Sequence, residues 1–154
     1  MEKKDILLKE IDLVQNCIQR MAKNSFVVKG WLISLFTIIV ALLPEKFDIR
    51  YLSIAGFLSV MCFWYLDGFF LKMETLYRWK YEWVIKKRLL CDDYMFDLDP
   101  YNKDMWLPNC GGGTKKEPSI LAKMISKTLI PLYFPLSVAM LFLFLKALLG
   151  ECIS

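Results

Sequence analysis

The sequence predicts an all-α membrane protein, and three observations carry that prediction. More than half of its 154 residues are apolar (56%), a share that points to the bilayer before any motif is inspected. Three apolar runs, 26–43, 51–71 and 128–149, are each long enough for a helix crossing a roughly 30 Å hydrocarbon core. Ahead of the first run, apolar residues recur at helical spacing. The expected architecture is a single helical membrane domain over 1–154. It comprises an N-terminal amphipathic helix (4–25), a transmembrane hairpin (26–43 and 51–71), a cytosolic helix extending the second span (72–90), an irregular cytosolic loop (91–126) and a third transmembrane helix (128–149).

In the amphipathic helix, Leu7, Ile11, Val14, Ile18, Met21 and Ser25 fall at alternating spacings of four and three, a seam closer to the coiled-coil period than to 3.6. Lys9, Asp12, Asn16 and Lys23 take the opposite face. Two readings of the seam stay open: packing on the chain's own second cytosolic helix, or self-association between protomers. The charged, polar character of this segment, with no small-residue cleavage site after the first apolar run, argues against a secretory signal.

The first span carries one charge, Lys29, near enough to its start to snorkel, and Trp31 sits where an interfacial aromatic belongs. Pro44–Arg50 is short and polar, which makes the first two spans an antiparallel hairpin. The start of span one and the end of span two then lie at the same depth. Asp67 is the acid in the second apolar run, about a turn from its end. A carboxylate costs about 2.5–3.5 kcal/mol at a helix centre on insertion scales and less near the headgroups, so it calls for a partner. Lys29 is the expected one. At helical spacing Asp67, Leu71, Glu74 and Arg78 share a face that carries polarity out of the membrane.

Beyond that face, Leu76, Tyr77, Trp79, Tyr81 and Trp83 alternate with Arg78, Lys80, Glu82 and the run Lys86–Arg88. Aromatics around most of the circumference suit contact on several sides, and the cations suit anionic lipid headgroups rather than nucleic acid. Residues 91–118 contain acids, Pro100, Pro108 and the glycines 111–113, and read as a loop with little regular structure. In the third span Pro131 and Pro135 lie one turn apart, predicting a kink or a delayed helix start, and Lys146 snorkels at the far end. Segments 1–29 and 72–127 hold six and eleven of the 20 Lys and Arg. Positive-inside then places the N-terminus and 72–127 in the cytosol and the tail Gly150–Ser154 outside.

The residue inventory speaks against an enzyme. There is no histidine, so Ser25 and Ser34 lack the commonest activating base. Five scattered cysteines without a C-x-x-C pair form neither a disulfide framework nor a zinc site. Asp97–Asp104 lacks the glycine and terminal glutamate of a calcium loop. Gly111-Gly-Gly-Thr-Lys-Lys116 sets amides beside lysines, a possible phosphate cradle, but without P-loop spacing it reads first as a tether. No cofactor is expected. What remains is a charge network of Lys29, Asp67, Glu74 and Arg78, either a structural clamp or a gate. Beside it stand a cytosolic face for oligomer or ligand contacts at Arg20, Lys23 and Asn24, and a hydrophobic gate at Phe63, Phe69 or Phe70.

Several of these motifs carry a family resemblance. Arg20-Met-Ala-Lys-Asn-Ser-Phe-Val-Val-Lys-Gly-Trp31 resembles the start of the first span in a group of small bacterial membrane proteins. Phe63-Trp-Tyr-Leu-Asp67, with Leu71, Glu74, Leu76, Tyr77 and Arg78, resembles the end of that group's second span. Phe96-Asp-Leu-Asp-Pro100 and Ser126–Tyr133 fit its loop and third span. The layout is similar to the SLATT group of two-span effectors, here with a third span added. The resemblance implies a bacterial inner-membrane effector of anti-phage defence that forms pores as a homo-oligomer. Its trigger would come from a separate sensor protein or a nucleotide signal. The alternative function is a non-conducting membrane anchor that recruits a cytosolic partner through 4–25 and 72–90. A small transporter subunit is a weaker third, because no internal repeat is present.

Overall fold

From Lys3 to Leu42 the chain has no proline and a single glycine, Gly30, so nothing interrupts the hydrogen-bond ladder. In the computed structural model the two elements expected over 4–25 and 26–43 are accordingly one helix, α1 (Lys3–Leu42). The structure describes residues 3–42, 48–108 and 112–151, with backbone only at Leu42, Gly150 and Glu151. Most of the expected hairpin loop, one glycine of the triplet and the last residues of the tail lie outside the described residues.

The second span and its extension also form one helix, α2 (Ile49–Lys87). It ends at Lys86 and Lys87, cations that suit the negative end of the helix dipole. Among the described residues the segment after it up to 119 is irregular apart from a 3-10 turn at Lys103–Met105 capped by the Asn102 side chain on the Asp104 amide. A five-residue helix, α3 (Ile120–Met124), interrupts what was expected to be loop to 126. Helix α4 (Ile130–Glu151) starts two residues later than the apolar run. Pro131 sits in its first turn, where a missing N–H leaves no bond unmade, and Pro135 removes one ladder bond just inside. Among the described residues there is no strand, and α1, α2 and α4 are each long and apolar enough to cross a membrane.

The chain divides into two compact units. The head unit comprises Met1–Asn24 and Phe70–Ser119, and the span unit Ser25–Phe69 and Ile120–Ser154. In the head unit Trp83, Val84 and Met105 form a buried cluster against which Leu7, Ile11, Cys91 and Leu107 pack. The upper part of the seam is thus covered by the chain itself. Each such side chain contributes roughly 1.5–3 kcal/mol when fully buried. In the span unit Leu32, Ile39, Val60, Leu129, Tyr133 and Met140 are buried. Two glycines set the closeness of that packing. A Cβ at Gly56 would lie 2.7 Å from Met140 Sδ, and one at Gly68 would lie 2.8 Å from Met124 Cγ and 3.4 Å from the Ile120 carbonyl oxygen.

Candidate functional site

The span unit is organised around Asp67, whose side chain is fully buried (0% exposed). Its Oδ1 accepts a hydrogen bond from Ser25 Oγ. Its Oδ2 accepts one from the Tyr133 hydroxyl at 2.9 Å and pairs with Lys29 Nζ at 2.6 Å. Lys29 Nζ also donates to Ser25 Oγ at 2.7 Å, one helical turn below it on α1. One carboxylate therefore gathers donors from α1 and α4 onto α2, and both its oxygens are engaged. In an apolar setting this is the state that makes a buried charge tolerable, since an unpaired one costs several kcal/mol. Trp64, one turn before Asp67, ties α2 to both α4 and the end of α3. Its ring stacks on Tyr133 (centroids 5.7 Å apart, planes 5° apart), and its Nε1 donates to the Met124 carbonyl at 2.9 Å.

Of the residues singled out from sequence, Lys29 and Asp67 are brought together directly. Glu74 and Arg78 form their own pair, 2.7 Å apart, one turn from each other on α2 in the head unit. Arg20 is exposed and donates to the neighbouring Cys17 Sγ at 3.8 Å. Lys23 is exposed and Asn24 half-buried. Phe63, Phe69 and Phe70 are each half-buried. Ser25 and Tyr133 are the members of the Asp67 cluster that sequence reasoning did not assign. The available signal was position: Ser25 stands four residues before Lys29, and Tyr133 near the start of the third span.

The head unit contains a second set of buried charges that the sequence did not announce. Glu10 (3% exposed) pairs with Arg88 (2%) in a two-toothed contact, and Glu10 Oε1 also accepts from the Phe96 amide at 2.7 Å. The remaining guanidinium hydrogens go to carbonyls of Cys91, Asp93 and Tyr94. This network fixes a turn in which Tyr94 and Phe96 both take left-handed backbone conformations (φ 55°). Lys80, also buried, donates to the Asp99 carbonyl at 2.8 Å and pairs with Asp97 at 3.3 Å. Burial pushes the Lys80 ammonium below its ordinary pKa, against the pull of Asp97. Burial works upward on Asp97, but hydrogen bonds from Asn102 and the Asp99 amide, with Lys80 beside it, leave it below the usual carboxylate value. The acids that suggested a calcium loop thus act as turn acceptors: Asp99 takes the Tyr101 amide and Asp104 the Tyr94 hydroxyl.

Set against protein-family models, curated proteins and solved structures, the chain matches none of them, and the functional reading rests on its own residues.

Proposed function

We propose that the chain is a bacterial inner-membrane effector of anti-phage defence that rests as a closed protomer. Once triggered, it permeabilises or depolarises the membrane as a homo-oligomer. In this reading the N-terminus and head unit face the cytosol and the C-terminus the periplasm, as the Lys and Arg bias predicts. The observation that carries it is Asp67, a carboxylate sealed into an apolar unit and held by donors from two other helices. Charge stored there gives the unit two alternatives: locked around the carboxylate, or opened so that several copies present it to water. A three-span protomer is too small to enclose a wide pore, so the open form needs a ring of copies. Arg20, Lys23 and Asn24 then serve assembly or ligand contact, and Phe63, Phe69 and Phe70 supply the hydrophobic closure. The trigger is a separate sensor or a nucleotide signal.

A second reading, the non-conducting anchor, is favoured by one specific observation. Every buried side-chain polar atom among the described residues has a partner, so Asp67 needs nothing beyond its own chain. The deciding measurement is membrane potential, read by a voltage-sensitive dye in bacteria making the native chain or Asp67→Asn at equal membrane levels. The near-isosteric amide removes the charge that holds Lys29 and unlatches the unit. Depolarisation by the variant without infection, with the native chain silent until challenged, is the expected result. An unchanged potential for both chains, also under phage challenge, sinks the effector reading and leaves the anchor.

A further inference from the structure

The head unit holds a cavity of about 400 Å³ that plays no part in the Asp67 cluster, a size usual for small-molecule sites. Lys103, Trp106, Thr114, Lys115, Lys116 and Glu117 line it. Two of these charges are already neutralised: Lys115 pairs with Glu82 at 2.7 Å, and Glu117 with Lys72 at 2.5 Å. Lys103 and Lys116 are exposed and have no ion-pair partner among the described residues. The cavity therefore presents two unspent ammonium groups and the Thr114 hydroxyl.

Its apolar surface is fixed in place. Trp106 donates from Nε1 to the Pro100 carbonyl at 3.2 Å and meets Trp79 edge-on, with centroids 5.3 Å apart. The Lys115 ammonium lies over the Trp79 ring, 5.1 Å from its centroid. Met105, buried at 1%, and the Asn102 cap hold the turn that carries Lys103 and Trp106. An indole held in advance lowers the ordering cost of binding. Cations with a hydroxyl suit a phosphoryl group, and a fixed indole suits a planar ring.

We infer that this cavity binds a small phosphorylated ligand carrying a planar ring, a nucleotide. This deepens the proposed function by giving a soluble signal a place on the chain itself. It is tested by binding alone, so it stands or falls whether or not the spans conduct. The experiment uses the full chain in nanodiscs of neutral lipid and labelled ATP in equilibrium dialysis, with adenosine and pyrophosphate as competitors. ATP is expected to bind saturably. Lys103→Ala with Lys116→Ala should weaken ATP by about tenfold or more while leaving the protease pattern of the head unit unchanged. Trp106→Phe keeps a ring in place as a fold control and should retain most of the binding, and Trp106→Leu should weaken ATP but not pyrophosphate. No saturable ATP binding, or ATP binding unmoved by the double lysine variant, overturns the site. Pyrophosphate competing as well as ATP overturns the role of the ring. ATP failing while anionic phospholipid vesicles bind through the same two lysines identifies a headgroup instead, and overturns the nucleotide.

Discussion

Glu10 and Asp67 are both buried carboxylates with a cation beside them, yet the two units hold them by different means. Glu10 is met by the fork of Arg88 and by a backbone amide of the loop, and Arg88 spends its other hydrogens on loop carbonyls. Asp67 is met only by side chains: two hydroxyls and one ammonium. The reason lies in what surrounds them. Around Glu10 the chain is irregular, so its backbone groups are open to a side-chain partner. The partners of Asp67, Ser25, Lys29 and Tyr133, all lie within helices, where backbone amides and carbonyls are largely paired along the helix itself. A buried charge thus organises a loop in the head unit, whereas in the span unit it joins elements that would be helical without it.

The largest effect that separates the two is expected at Arg88. Arg88→Ala strands Glu10 in the core and frees three carbonyls, at a cost of about 3–5 kcal/mol. Limited proteolysis should then cut within 91–108, and a resistant variant would show that the loop holds itself. Asp67→Leu should cost less, on the order of 1–3 kcal/mol, because Lys29 is 28% exposed and can turn toward the headgroups. Denaturant titration in detergent should show Lys29→Leu recovering part of that loss in the double variant, while helix content stays constant. Lost helicity would overturn the view that Asp67 joins pre-formed helices. Next comes Gly68→Ala, which presses on Met124 and the α3 backbone and should cost about 1 kcal/mol or more. Gly56→Ala should be milder, since the flexible Met140 side chain can swing aside. Smallest is the response to acid. Because the folded-state pKa of Asp97 is depressed, its contribution is present above the ordinary carboxyl pKa of about 3.9 and is lost as pH falls through the lower folded value. Protection of the 97–102 amides, taken relative to their intrinsic exchange rates, should therefore hold steady from pH 7 to 5 and fall only below, and Asp97→Asn should remove that acid step.

The Lys29–Asp67 contact was legible because it follows from chain geometry: a short connection sets two span ends at one depth, and a membrane acid needs a cation. The rest of that cluster was hidden by competing explanations. Ser25 closed an apolar seam, and Tyr133 was one residue among many in a largely apolar third span. Glu10 flanks the same seam, three residues after Leu7 and four before Val14, where a buried acid demands a partner, but that partner is too far along the chain for any local pattern to name it. The order of residues 91–108 was illegible for a different reason. It rests on bonds such as Glu10 to Arg88, 78 residues apart, and no local period reports those. The boundary drawn between 25 and 26 marked a change of composition, and helical hydrogen bonding passes through it unaltered. Five residues of α3 are too few to show a period at all.

The left-handed turn at Tyr94 and Phe96 has a consequence for biosynthesis. Such a conformation costs a non-glycine residue roughly 1–2 kcal/mol, and here it is offset by Arg88 on the Tyr94 carbonyl and Glu10 on the Phe96 amide. Glu10 leaves the ribosome 78 residues before Arg88 and 86 before Phe96, so neither of these native partners exists when it is made. By the time they do, both apolar runs of α1 and α2 have been translated. The Glu10 contact waits until the chain returns with Arg88. Assembly is therefore vectorial, with the head unit closing only after the first two spans have been made.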